Sequence, residues 1–423
     1  MIDIKEIREN PERFKKAAAD KHFNVDIDKL IEIDSKLKDA KQKLQDILTE
    51  KNKVGKEIPK LPDAEKQKAI ETLAQLKQQE QDYNETTKNL QPQFDALMLE
   101  VPQPADDDVP LGKDDTENVE IKKVGEIRKF DFEPQDHVRL GLALDIMDIE
   151  RGVKLAGARN YFLKGDGAML HWAVLRFAVD FMVAKGYTPM SPPMLMKYET
   201  MTGTGYYPGS EEQTYRTLDE LSLAGTAEVP VTAYYKDEIL LAGDLPKKFV
   251  ALSTCFRREA GAAGKDTYGL YRIHQFDKVE QVIICKNDIE ESKKLHAEIL
   301  ANSEGVLQAL ELPYRVVNVC TGDLGRGQVQ KFDIETWMPS RKNYGETHSA
   351  SRFYEFQARR LNLRYKDPKT KKNLFCHTMN NTVIASPRIL IPILELYQTK
   401  DGSITIPKVL RPYMNGKEKI ARS

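Results

Sequence analysis

From Leu30 onward the apolar positions recur alternately three and four residues apart. Leu30, Ile33, Leu37, Ala40, Leu44, Ile47, Val54 and Ile58 form one series, provided Lys51 fills the slot between Ile47 and Val54. That spacing is the seam of a heptad helix. The pattern breaks around Gly55 to Pro62 and resumes as Ala69, Leu73, Leu76, Tyr83, Leu90, Phe94, Leu97 and Val101, with Glu80 and Thr87 in its gaps. Two such helices joined by a proline-containing turn, each about 50 Å long at about 1.5 Å per residue, are predicted to fold back as an antiparallel coiled-coil hairpin projecting as an arm. Ahead of them, Asp3 to Ala19 reads as a short helix with Ile4, Ile7, Phe14 and Ala18 on its apolar side and an early interruption at Asn10-Pro11.

The periodicity stops at Val101-Pro102-Gln103-Pro104, and a run of acid, Asp106-Asp107-Asp108, leads to Gly112. A proline-rich, acidic stretch without period marks a domain boundary, which divides the chain into 1–105 and 106–423. In the second part Met169 to Val183 is an apolar, helix-like run, followed by Gly186-Tyr187 and an extended Pro189-Met190-Ser191-Pro192-Pro193. Proline cannot donate to a sheet ladder, so that strand belongs at an edge or an interface. From Cys255 the chain is apolar, then glycine-rich and charged through Gly261 and Lys265 to Leu270, then apolar with alternating charge from Tyr271 to Glu280. This is a strand, a loop and a returning strand, and the whole is of the α+β class.

Composition sets limits on function. The 423 residues, 40% hydrophobic and 30% charged, suit a soluble globular protein of two domains. A formal charge of -1 neither supports nor excludes nucleic acid, so contact with RNA would rest on local patches. Cys255, Cys285, Cys320 and Cys376 form no Cys-x-x-Cys pair, so neither a disulfide framework nor zinc is expected. With no signal-peptide core and no uninterrupted apolar run that could span a bilayer, a cytoplasmic protein without membrane contact is expected.

The strand-loop-strand carries the chemistry. Arg257 can grip phosphate oxygens bidentately, Arg272 and Phe276 offer flat faces to a base, and Glu280 can hold an ammonium. A lone Arg-x-Glu would be read as a charged surface hairpin. The full string from Cys255 to Glu280, however, resembles motif 2 of the class II aminoacyl-tRNA synthetases, most closely the seryl-tRNA synthetases. Further likeness runs through Asp136 to Gly141, Gly157-Ala158-Arg159 and Tyr161-Phe162-Leu163. The Met169 to Pro193 segment resembles motif 1, which builds the homodimer interface in that class. Thr378-Met379-Asn380-Asn381-Thr382 through Ser386-Pro387-Arg388 resembles motif 3.

The resemblance implies an antiparallel-sheet catalytic domain at 106–423 and, at 1–105, an arm that reaches the tRNA. Lys38, Lys41, Lys43, Lys51, Lys53 and Lys56 are its candidate phosphate contacts. It implies an enzyme that activates L-serine with ATP and magnesium and transfers it to tRNA(Ser), with tRNA(Sec) open as a second acceptor. Arg257, Arg388 and Glu346 would be catalytic. Arg257, Arg258, Glu259, Arg272, Phe276, Glu346, Thr347, His348, Ser349 and Arg388 would face ATP, with Glu346 and Ser349 on its magnesium. Thr226, Ala227, Glu228, Glu280, Asn380 and Thr382 would form the serine pocket. Neither chemical step asks for a protein nucleophile.

Two segments depart from the family pattern. Gly345, Thr347, His348, Ala350 and Arg352 stand where the family usually reads Arg-Glu-Ile-Ser-Ser-Cys-Ser-Asn around Glu346 and Ser349, and Asn381 and Val383 replace two glycines. With no second histidine near it, His348 reads as a surface residue. Ser386 reads as a helix cap and Pro387 as the first helical residue, which would put Arg388 in the first turn. The departures keep two other readings in view, a non-catalytic RNA-binding paralogue and an amino-acid:carrier-protein ligase.

Overall fold

A computed structural model describes residues 1–261, 266 and 268–422, so Lys265 and Thr267 of the glycine-rich loop lie outside the described residues. The chain divides into two compact units, Ile2–Pro104 and Ala105–Ser423, the latter including Met1.

In the first unit, α1 (Ile4–Glu9) and α2 (Pro11–Asp20) meet at Asn10, whose side chain accepts from Arg13 N while Pro11 opens the new helix. The heptad series become α3 (Ile27–Glu57) and α4 (Asp63–Glu100), joined by a single tight turn at Ile58–Lys60. Asp26 caps α3 by accepting from Lys29 N at 2.9 Å. Leu30, Ile33, Leu37, Ala40 and Ile47 are buried along the seam, and each of the leucine and isoleucine side chains contributes about 1.5–3 kcal/mol when fully withdrawn from water. The polar slots in the two series answer each other. Lys51 and Glu80 form an ion pair across the seam, and Lys41 Nζ donates to Gln91 Oε1 at 2.9 Å. Partner numbers that rise on one helix and fall on the other make the pair antiparallel. α4 runs through Pro92, which lacks the N–H that would close the helical bond to residue 88.

The second unit is built on an eight-stranded sheet. In chain order its strands are β1 (Val119–Val124), β2 (Thr188–Met190), β3 (Lys247–Phe256), β4 (Gln275–Cys285), β5 (Tyr314–Asn318), β6 (Gln330–Met338), β7 (Asn343–Tyr354) and β8 (His377–Ser386). They lie side by side as β1-β5-β6-β7-β8-β4-β3-β2, every neighbouring pair antiparallel except β2 with β3. Pro189 therefore sits on an edge strand, as its missing donor requires.

Three helices cover one face: α5 (Asp166–Ala184), α6 (Ile289–Ala309) and α7 (Leu390–Tyr397). Leu170, Val174, Ala178 and Met182 of α5 pack with Leu295, Ile299 and Val306 of α6 against Val279, Ile283 and Ile384. Among the described residues α5 is the one helix long and apolar enough to cross a membrane, and its apolar side is used in this core.

Alternation along β4 organises the other face. Val279, Gln281 and Ile283 point toward the helices, where Gln281 donates to Ile299 O at 2.9 Å. Phe276, Lys278 and Glu280 point the other way into a cleft. Farther along the same face Val282 and Ile284 are roofed by Ala227, Val231 and Leu361, which closes the cleft at that end.

Candidate active site

Strands β4, β8 and β7 form the floor of a cleft, and Arg257, Glu259, Leu270, Tyr271 and Ile273, between β3 and β4, supply a wall. Two β-bulges decide which side chains reach it. Residues three apart on a regular strand face opposite ways. The pairing of β7 with β6 skips Thr347, so Glu346 and Ser349 both line the cleft. The pairing of β8 with β4 skips Val383, so Asn380 and Thr382 share the cleft with Ala385.

One end is acidic and tightly bonded. Glu228 opens a short helix, Glu228–Thr232, and accepts from Tyr206 OH at 2.9 Å and from Gln357 Nε2 at 2.8 Å. Burial, and after it the neighbouring Glu280, push its carboxyl up to about 7. Glu280, 1% exposed, is paired with Lys278, whose Nζ also donates to Thr226 Oγ1 at 2.8 Å. Burial raises Glu280 as well, with Lys278 and Arg257 pulling against it. Lys278 therefore holds together a pair of buried carboxylates that would otherwise repel, since a buried charge costs several kcal/mol unless it is paired. The Asn380 Nδ2 in this wall is buried and has no hydrogen-bond partner among the described residues.

The other end is cationic. The Arg257 guanidinium lies over the Phe276 ring at 5.3 Å. Arg388 donates from Nε to Tyr271 O and from Nη1 to Glu346 O, both at 2.9 Å. Glu346 is exposed to the cleft. Desolvation at its position raises its carboxyl, but Arg388, Lys331, Arg257 and Arg272 outweigh this and hold it below the ordinary range. Behind Ser349 stands Asp333, 5% exposed, with one carboxylate oxygen 3.3 Å from Lys331 Nζ and the Ser349 hydroxyl beside it. Burial pushes Asp333 up, Lys331 opposes this, and Glu346 adds to the rise. Among the described residues no three His, Cys, Asp or Glu side chains converge on a metal position. Two oxygens, from Glu346 and Ser349, suit a magnesium ion that keeps most of its waters and bridges phosphates.

Several expected residues stand elsewhere. His348 is not on the surface: it is 1% exposed on the helix-side face of β7, with Nε2 3.0 Å from Val383 O and Nδ1 2.8 Å from Thr347 Oγ1, and burial pushes it down to about 4. Thr347 lines the cleft, but its hydroxyl is engaged with Thr336 Oγ1 at 2.7 Å. Arg272 is held by Glu259 at 2.6 Å, and the guanidinium that stacks on Phe276 is that of Arg257. Arg258 is exposed, with its N–H donated to Gln213 O. Thr226 and Ala227 lie behind the wall, and Thr226 acts on the cleft through Lys278.

Ser386 is not a helix cap. It remains in the β8 ladder opposite Asp277, and its hydroxyl meets His171 Nδ1 at 2.8 Å. Helix α7 begins only at Leu390, so Pro387 is not its first residue and Arg388 occupies the turn before it. The two departures from the family pattern point mostly away from the cleft. Asn381 donates to Ile299 O of α6, Val383 is fully buried, and Arg352 is paired with Asp106 and Gln330. Lys278, Tyr206, Tyr271 and Asp333 were not singled out from the sequence. Lys278 had a usable signal, since it falls midway between Phe276 and Glu280 on an alternating strand.

Together these groups offer an ammonium site and a polyphosphate site within one cleft. Residues 212–397 match the family model of the tRNA synthetase class II core domain (G, H, P, S and T), and residues 1–104 match that of the seryl-tRNA synthetase N-terminal domain. The chain is 46% identical to the serine--tRNA ligase of Deinococcus radiodurans, covering 99% of this chain and 98% of that one. It is 42% identical to the enzyme of the same name from Dictyoglomus turgidum, over 98% of each. The crystal structure of seryl-tRNA synthetase from Pyrococcus horikoshii complexed with ATP superposes with a TM-score of 0.93 at 35% identity, over the full length of both chains. A prolyl-tRNA synthetase of Giardia lamblia, 14% identical with a TM-score of 0.57, shares the fold alone.

Proposed function

From the membership of this chain in the seryl-tRNA synthetase family, shown by its full-length identity to relatives of that name, we propose that it activates L-serine with ATP and transfers it to tRNA(Ser). The observation that carries the reading is the polarity of the cleft, with Glu228 and Glu280 at one end and Arg257 and Arg388 at the other. A bound amino acid sets its ammonium among the carboxylates and its carboxylate toward the cations. ATP sets its α-phosphate against Arg257 and its triphosphate toward Arg388, with the base at Phe276. The serine carboxylate oxygen attacks the α-phosphorus, the bond to the bridging oxygen breaks, and pyrophosphate leaves. The terminal adenosine hydroxyl of the tRNA then takes the seryl group and AMP departs.

The chain lowers the barrier by positioning and by placing guanidinium charge where negative charge gathers. Glu346 and Ser349 would hold magnesium, which supplies charge neutralisation on the phosphates. A polar serine side chain is recognised by leaving no buried donor or acceptor unmet, and Asn380 Nδ2 and the Thr382 hydroxyl are placed to serve it.

The arm, Ile2–Pro104, contributes the tRNA contact, as its match to the family's N-terminal domain supports. The chain works as a homodimer through the face around Trp172, which is 60% exposed beside Pro189, Met190 and Leu252. Its four free cysteines, all buried, suit the reducing cytoplasm.

Serine-dependent exchange of pyrophosphate into ATP, followed by charging of total tRNA, tests the reading. Exchange and charging are both expected. Exchange without charging would favour a carrier-protein ligase, and RNA binding without exchange a non-catalytic paralogue.

A further inference from the structure

Tyr271 is a wall shared by two cavities. It lines the cleft, and it also lines a second, more open cavity whose other residues include Asp266 and Arg341. Its ring rests on Gly345. A Cβ at Gly345 would come within 2.9 Å of Tyr271 Cε2, so the ring fills the place a side chain on β7 would otherwise take. A guanidinium stands over the ring in each cavity. The central carbon of Arg388 is 4.4 Å from the ring centroid and that of Arg341 is 4.2 Å. Arg341 is anchored in turn, with Nη1 donating to Asp266 Oδ1 at 2.7 Å.

The backbone on either side is fixed too. Leu270 N donates to His137 Nε2 at 3.2 Å, so the other ring nitrogen, Nδ1, carries the proton directed at Glu395 Oε1, 2.8 Å away. Arg388 thus has three supports: the Tyr271 carbonyl, the Glu346 carbonyl and the face of the Tyr271 ring. Its Nη2 has no partner among the described residues.

We propose that Tyr271 is a positioning residue for Arg388: its ring, seated on Gly345 and covered by Arg341, fixes the Arg388 guanidinium in the pose that receives the triphosphate of ATP. The inference rests on reading the cleft as an ATP-dependent serine-activating site. The ring's electron-rich face holds both cations, so the ring is the working part. The phenol hydroxyl makes no hydrogen bond among the described residues, so on this proposal it is dispensable.

The test is serine-dependent pyrophosphate exchange by the full-length protein, with ATP and serine varied separately and melting temperatures measured alongside. Tyr271→Leu is expected to raise the KM for ATP about tenfold, the size of one lost cation–ring contact. The KM for serine should stay within about twofold, because the ammonium end is untouched. Tyr271→Phe should behave as wild type. Gly345→Ala should reproduce the Leu phenotype by displacing the ring. The proposal falls if both Tyr271→Leu and Gly345→Ala leave the KM for ATP unchanged, if the two KM values rise together, or if Phe is as impaired as Leu. Should Tyr271→Leu fail to fold, Gly345→Ala decides on the same criteria. Failure of both to fold would make Tyr271 a core residue and overturn the proposal. A wild-type protein without exchange activity would instead refute the proposed function itself.

Discussion

Lys278 shows what a buried charge does when its neighbours are other charges. It sits between Glu280 and Thr226, and beyond them Glu228 is pushed up to about 7 by burial and then by Glu280. An unfolded glutamate titrates near 4.5, so the folded chain holds the Glu228 proton more tightly. Its contribution to stability is full below about 4.5 and is lost as pH rises through about 7. Binding an ammonium needs the ionised form, so the KM for serine should fall as pH rises through about 7 and should lose that dependence in Glu228→Gln. A profile of serine KM against pH checks this, and a flat wild-type profile would remove Glu228 from the ammonium site. Arg257→Ala should reduce exchange at least about a hundredfold, the usual cost of losing one charge-stabilising donor. Near-normal exchange in that variant would overturn the phosphate assignment. Phe276, Glu280 and Arg257 were legible in the sequence because strand alternation and charge spacing are local. His348 and Ser386 were misread because their environments come from strands and helices distant in sequence, namely Val383 for the one and His171 for the other.

At the level of elements, the heptads predicted α3 and α4 closely because a seam repeats many times and each repeat corrects the others. What the repeat could not say was that Lys51 and Glu80, the polar residues in the two series, would meet. That pairing separates the lysines of α3 into two kinds. Lys51 is tied to Glu80 and Lys43 to Asp39, whereas Lys53 and Lys56 are exposed with no partner among the described residues. Replacing Lys53 and Lys56 by glutamate should raise the KM for tRNA several-fold and lower the salt dependence of charging by about one to two phosphate contacts, leaving pyrophosphate exchange unchanged. Charging kinetics at a series of fixed salt concentrations would show it. An unaltered salt slope would take these two lysines out of the tRNA contact. In the second unit the strand at Pro189 and the pair flanking the glycine-rich loop were legible, but the other five strands of the sheet and the bulges at Thr347 and Val383 were not. A bulge is a property of two paired strands, and one strand's sequence carries no mark of its partner's register.

At the scale of the whole molecule, Trp172, Pro189, Met190 and Leu252 line an apolar concavity from which Trp172 is 60% exposed. Trp172→Glu should place an unpaired charge in the proposed subunit contact and convert the proposed dimer to monomer, read as a halved mass in analytical ultracentrifugation. A variant that sediments like the wild type would move the contact elsewhere. The alternation that gives β7 and β8 one face to the cleft and one to the helices reaches further, into how such a chain changes over descent. Asn381, Val383, His348 and Arg352 break the familiar string of letters, yet every one of them is on the side that touches helices or other strands. Glu346, Ser349 and Asn380, which line the cleft, keep it, and of the departures Thr347 also lines the cleft. The two faces of one strand thus answer to different demands, one to packing partners and the other to the chemistry of the cleft. A comparison of relatives that scores each face by itself should find the cleft face changing more slowly than the face that meets helices and neighbouring strands.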